Sequence, residues 1–163
     1  MKNIFFVILS LMIIQSCSNS NAASEKQYLA LLATSRDLRC QILDIKYQND
    51  SMWDTVSVIL DQKLPHKNII ESDRANMLTL RNAGIIKEFK VFQNLDSSIQ
   101  KIVFDAGAQD AKNALKLKEV LAKFEDYQKE KDMFLMQVEK VDPAKSKKYM
   151  EELMKIDSLE KCD

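Results

Sequence analysis

Few side chains in this sequence can do chemistry, and their spacing excludes most of what they could do. His66 is the single histidine, so a zinc site of two or three histidines is excluded, as is a carboxylate-bridged di-iron site needing Glu-x-x-His on two helices. A Ser-His-acid triad would have to use the same histidine, and no Gly-x-Ser-x-Gly elbow brings a serine to it. The glycines are Gly84 and Gly107, which make no phosphate-cradling loop. Asp61, His66, Glu71 and Asp73 repeat no ligand spacing and read as a solvated loop. Paired carboxylates could serve as acid and base without histidine. Here they are mixed with lysines, as in Lys129-Glu130-Lys131-Asp132, the pattern of a solvated helix face. Met133, Met136, Met150 and Met154 could bind copper or form an adaptable surface, but their helical spacing beside Phe134, Leu135 and Leu153 predicts core filler. No catalytic, metal-ligating or cofactor-binding residue is predicted, and the chain reads as a non-enzyme. What remains is three cysteines: Cys17, Cys40 and Cys162.

The residues ahead of Cys17 have the form of an export signal. Lys2 supplies a cationic start, the stretch from Ile4 to Ile14 is apolar apart from Ser10, and Ile14-Gln15-Ser16-Cys17 closes it. Such a run is too short to span a bilayer as a permanent helix. The segment resembles a bacterial lipoprotein signal peptide whose lipobox ends at Cys17, although Gln15 stands where a small or apolar residue is commoner. The resemblance implies a signal peptide over 1–16, fatty-acyl (palmitate-type) lipidation of Cys17, a lipidated flexible tether over 17–24 and a single helical domain over 25–163. Ser18, not an aspartate, follows the cysteine, which by the same resemblance implies the outer membrane, facing the periplasm. Read from the residues alone, cleavage near Ala22-Ala23 and a retained anchor helix stay open. With Cys17 lipidated, Cys40 and Cys162 are an even pair in an oxidising compartment; the simplest reading is a disulfide, the other being two free thiols. Closing so long a loop contributes about 4 to 5 kcal/mol in the chain-entropy picture.

The charges bound the partners. The chain carries 24 basic and 24 acidic residues, and removing the signal with Lys2 leaves the mature protein with a single net negative charge. Nucleic-acid binding needs a clustered basic field and is not predicted. With only 2 Gly and 2 Pro, the sequence lacks the turn signals of an all-β fold. The expectation is all-α, an antiparallel bundle of four to six amphipathic helices.

Along the chain, Tyr28, Leu31, Ser35, Leu38, Ile42 and Ile45 trace a first helix over about 24–48. Asn49-Asp50-Ser51 is expected to end it and to cap a second helix reaching Leu64, where Pro65 breaks the chain. A third helix is expected from about residue 68 or 72 to Phe92, with Ala83-Gly84 marking close packing or a kink. Residues 97–141 form one drifting helix or two, their stripe running through Ile99, Val103, Ala106, Asp110, Ala114, Leu117, Leu121, Phe124, Gln128, Lys131, Leu135, Val138 and Val141. Asp110, Gln128 and Lys131 interrupt a strict heptad. Ala106-Gly107-Ala108 offers a close-approach surface. Asp142-Pro143 starts a last helix ending near Lys161. Trp53 is expected as a partly buried anchor at the domain edge; that edge and the Leu64 to Asn68 loop are the candidate binding surfaces. The functional expectation is a lipid-anchored cell-envelope protein, attached to the membrane through its lipid and binding an envelope protein as adaptor or accessory subunit. The alternative is an inhibitor or immunity-type lipoprotein against a toxin or lytic enzyme. The sequence sets no oligomeric state.

Overall fold

The computed structural model describes residues 2–64 and 70–162, with side chains from residue 22 onward. Helix makes up 86% of it and no strand occurs among the described residues, so the class is all-α. The helices are α1 (Lys2–Lys63), α2 (Glu71–Thr79), α3 (Ala83–Ile86), α4 (Lys90–Gln93), α5 (Ser97–Glu139) and α6 (Pro143–Asp157). The side chains of the expected 1–16 signal and of Cys17 lie outside the described residues, as does His66 with the rest of 65–69. The bounds of α1 take in the expected tether, 17–24. Two compact units form: one from residues up to Gln41 and from Ala122 onward, the other from Ile42 to Leu121. Among the described residues no helix is long and apolar enough to cross a membrane.

The unit from Ile42 to Leu121 corrects two expected boundaries. Asn49-Asp50-Ser51 neither ends nor caps a helix; α1 runs through them. The reason is tertiary. Asn49 Nδ2 donates to Asp110 Oδ1 at 2.8 Å, its Oδ1 accepts from Asn113 Nδ2 at 2.5 Å, and Asp50 pairs with Arg81. These partners outweigh the few tenths of a kcal/mol, roughly, by which each polar residue disfavours a helix interior. The single helix expected to reach Phe92 is instead three short ones. Met77, Leu80, Ala83, Ile86, Phe89, Phe92 and Leu95 all join this unit's core, and each follows the last by three residues. A 3.6-residue helix would turn that stripe away by about 60° at each step. The chain breaks instead. Leu80 and Phe89 take extended backbone, and Asn82 caps α3 by accepting from Ile85 N–H at 3.2 Å.

Trp53 belongs to this core and is not a partly buried anchor at the domain edge: it is 4% exposed, packed in the cluster of Val56, Leu60, Leu64, Met77, Ile86, Phe92, Ile99, Val103 and Ala106. Its Nε1 is buried without a hydrogen-bond partner. It is therefore not a docking residue. The small-residue surface on α5 is used as expected, and its counterpart is Ala83.

The long segment is one helix, and its buried residues follow a strict heptad. Ile99, Ala106, Asn113, Val120, Tyr127 and Phe134 are buried at intervals of seven, as are Val103, Lys131 and Val138 of the second set, with Asp110, Leu117 and Phe124 half-buried between them. From residue 113 onward most of this seam lies one position before the expected stripe: Asn113, Val120, Tyr127 and Phe134 are buried where Ala114, Leu121, Gln128 and Leu135 were expected. Asp110 and Lys131 do not interrupt the heptad; they occupy it, whereas Val141, expected as the last residue of the stripe, lies beyond the end of α5 and is exposed.

In the unit containing both chain ends, α1 and α6 run parallel. Their partners keep a nearly constant offset in number: Tyr149 with Glu25 and Tyr28 with Glu152 at 124, Ser35 with Asp157 at 122, Arg39 with the Leu159 carbonyl at 120. α5 opposes α6 in the antiparallel sense: Ser146 Oγ donates to the Leu135 carbonyl at 3.1 Å, while Lys131 reaches Asp157 farther along α6. Asp142 caps α6 as expected, accepting from Lys145 N–H at 3.0 Å, and α6 ends at Asp157.

A Cβ added to Gly107 would lie 2.6 Å from Ala83 Cβ. Gly107→Ala should therefore destabilise the protein by about 1 to 3 kcal/mol, despite the roughly 1 kcal/mol that alanine adds to helix propensity. The denaturation midpoint should fall; a raised midpoint contradicts the close approach.

Candidate functional site

The unit formed by residues up to Gln41 and from Ala122 onward is built from parts of α1 and α5 together with α6. Its interior is tied by an aromatic clasp. Glu25 and Tyr28 are one turn apart on α1, Tyr149 and Glu152 one turn apart on α6, and each tyrosine hydroxyl donates to the carboxylate on the other helix. The two rings stack with centroids 3.8 Å apart and planes 6° from parallel. Burial, then the Glu152 carboxylate, pushes the Tyr28 hydroxyl up; burial and Glu25 do the same for Tyr149. The hydrogen bond from Tyr149 holds the Glu25 carboxyl below its ordinary value, against the opposing effect of burial. Both hydroxyls keep their protons at neutral pH and act as donors. The clasp was not among the sequence-based expectations, although the paired Glu-x-x-Tyr and Tyr-x-x-Glu spacings were its signal.

Farther along, Asp157 collects three helices. Lys131 Nζ donates to Oδ2 at 2.8 Å, Ser35 Oγ to Oδ1 at 2.6 Å, and Gln128 Nε2 to Oδ2 at 3.3 Å. Burial would raise the Asp157 carboxyl, but the donors from Lys131, Ser35 and Gln128 prevail and hold it below the ordinary value. Burial above all pushes the adjacent Tyr127 hydroxyl up to about 12. The structure joins Cys40 to Cys162 at a separation of 122 residues, with Cα atoms 5.6 Å apart, in the register already set by the α1–α6 contacts.

The methionines correct the sequence reading. Tyr127, Lys131, Phe134 and Val138 take the core positions of α5, and Ser146, Tyr149 and Leu153 those of α6. Met150 and Met154 each follow a core residue by one position, about 100° around the helix. Met133, Met136, Met150 and Met154 are accordingly exposed, the last three by 54%, 43% and 59%. They are not core filler. Two adjoining depressions of about 480 and 690 Å³ share Asp132, Leu135 and Met150 and together run along α5 and α6. Met154 lines the first and Met136 the second. Among the described residues no group of three or more His, Cys, Asp or Glu could hold a metal ion. Asp61 of the loop carboxylates pairs with Arg74. Of the other candidate surface, Leu64 is buried and 65–69 lies outside the described residues.

No protein family, curated protein or solved structure matches this chain.

Removing the Asp157 charge leaves Lys131 buried without its counterion, so Asp157→Asn should cost about 2 to 3 kcal/mol at neutral pH by urea unfolding. A carboxyl with a lowered folded-state pKa contributes stability that is full above its unfolded value, near 3.9, and is lost as pH falls through the folded one. The native protein should therefore weaken below about pH 4, and Asp157→Asn should weaken less steeply there. Equal acid slopes would contradict the network. Replacing Cys40 and Cys162 by serine should lower stability by up to about 5 kcal/mol without changing the helical content measured by circular dichroism.

Proposed function

We propose that this protein is a lipid-anchored helical module of the cell envelope, attached through Cys17, which binds an envelope protein along the α5–α6 groove. The observation carrying this reading is the row of Met136, Leu135, Met150 and Met154. Three exposed methionines line the two adjoining depressions, although the heptad beside them has enough Phe, Tyr, Leu and Val to fill the core. Methionine's unbranched, polarizable side chain adapts to partners of differing shape and is over-used on such binding surfaces. The groove follows two antiparallel helices, which suits the apolar face of an amphipathic helix. Asp132 and Glu139 stand on the α5 wall and Lys147 on the α6 wall, a charged rim that would orient such a segment. The anchor itself is supported by the charge, length and lipobox of residues 1–17.

A photo-crosslinking amino acid placed at Met150 in living cells, with Lys123 as control, tests the groove. A discrete crosslinked species should form from Met150 in resting cells and should be lost on Met136→Asp. No species beyond the control would refute the groove as a binding surface. A species formed only with an incoming toxin or lytic enzyme would replace the adaptor role by the inhibitor role.

A further inference from the structure

We propose that the turn between α5 and α6 is a membrane-contact surface that rests on the anionic headgroups of the anchoring bilayer, with Val141 at its tip. The proposal rests on the reading of Cys17 as the anchor. Its first support is placement. A cavity of about 300 Å³ is lined both by Ala23, Ser24 and Gln27 of α1 and by Val138, Val141 and Lys145 around the turn. The turn therefore lies beside the residues at which the chain leaves Cys17. Five residues separate Cys17 from Ala23, and even fully extended the six steps between them reach about 20 Å. A domain held by lipid at Cys17 cannot carry this turn far from the bilayer.

Its second support is composition. Val141 is 83% exposed, the most exposed of the large hydrophobic side chains described. Around it, residues 139–148 hold Lys140, Lys145, Lys147 and Lys148 against two acids, Glu139 and Asp142, and the Asp142 carboxylate is occupied in capping α6. Lys145 lies 3.6 Å from Glu25 and Lys148 4.0 Å from Glu152, whereas Lys140 and Lys147 are in no ion pair among the described residues. The chain as a whole is neutral, so this excess is local. An apolar tip framed by cations is the pattern of interfacial segments: the apolar group enters the headgroup boundary while the lysines meet anionic lipid. Each lysine brought to such a surface strengthens partition about fivefold, an effect confined to about a Debye length, near 10 Å.

Two arms keep the turn separate from the anchor. The intact mass of protein purified from membranes, beside its Cys17→Ala form, tests the anchor: acyl chains on a protein beginning at Cys17 are expected. The turn is tested on the Cys17→Ala chain from residue 17 onward, held to vesicles by an N-terminal hexahistidine tag on nickel-chelating lipid. Val141→Trp and, as control, Lys123→Trp are compared in vesicles of phosphatidylcholine and phosphatidylglycerol carrying brominated acyl chains. Emission added by Val141→Trp should be quenched and that of Lys123→Trp should not. The quenching should be lost on combining Lys140→Glu with Lys147→Glu, or on raising the salt. Equal quenching at both positions, or quenching indifferent to the lysines, overturns the proposal. Quenching without acyl mass would retain the surface and remove the anchor.

Discussion

The structure depends on a constraint that apolar packing alone does not impose: polar residues occupy positions on the buried seams, and each must find its partner. A buried polar group left without one costs about 1 to 3 kcal/mol, and an unpaired charge more. Asn113 is met by Asn49, which also reaches Asp110; Lys131 and Ser35 converge on Asp157. Sliding any of these helices by one turn would leave several such groups unpaired at once. A purely apolar heptad tolerates such slips far better, which is why single polar residues at seam positions fix register in coiled coils.

With register fixed, the faces of the helices acquire distinct uses. The constant offset between α1 and α6 brings Tyr28 over Tyr149 and Cys40 to Cys162, so one side of α6 is tied to α1 along its length. The side turned toward α5 holds Met150 and Met154 out to solvent beside Leu135. The turn between α5 and α6 lies beside Ala23, near the expected lipid. One helix thus supplies the clasp, the groove and the end proposed to meet the membrane. The two functional proposals use surfaces that the same register creates.

Much of this was legible in the sequence. The scarcity of Gly and Pro gave the class, Tyr28 to Ile45 gave the buried stripe of α1, and Asp142-Pro143 gave the start of α6. The failures share a cause. Asn49-Asp50-Ser51 looked like a helix boundary, and Asp110 and Lys131 looked like interruptions, because local propensity assigns polar residues to caps and surfaces. Their partners are 61 residues away for Asn49 with Asp110 and 26 for Lys131 with Asp157, beyond any local pattern. The expected stripe left the seam at Asp110, where a second four-residue step in succession led to Ala114 in place of Asn113, and thereafter to Leu121, Gln128 and Leu135. The methionines were misread for a related reason: helical spacing shows that residues share a face without showing which face is inside. The three-residue spacing from Met77 to Leu95 was visible, and it contradicted one straight helix.

The most direct test of this account removes the polar seam while preserving its volume: Ser35→Ala, Lys131→Met and Asp157→Leu in one chain. Buried ion pairs replaced by apolar residues often leave stability equal or higher. Helical content should therefore survive. The readout is pairing of Cys40 with Cys162 in a glutathione redox buffer, which reports the α1–α6 register through the effective concentration of the two thiols. The account predicts that this effective concentration falls by about tenfold or more as alternative registers become populated. Unchanged pairing in a fully helical variant would show that the Ser35, Lys131 and Asp157 network does not set the register, and would contradict the account.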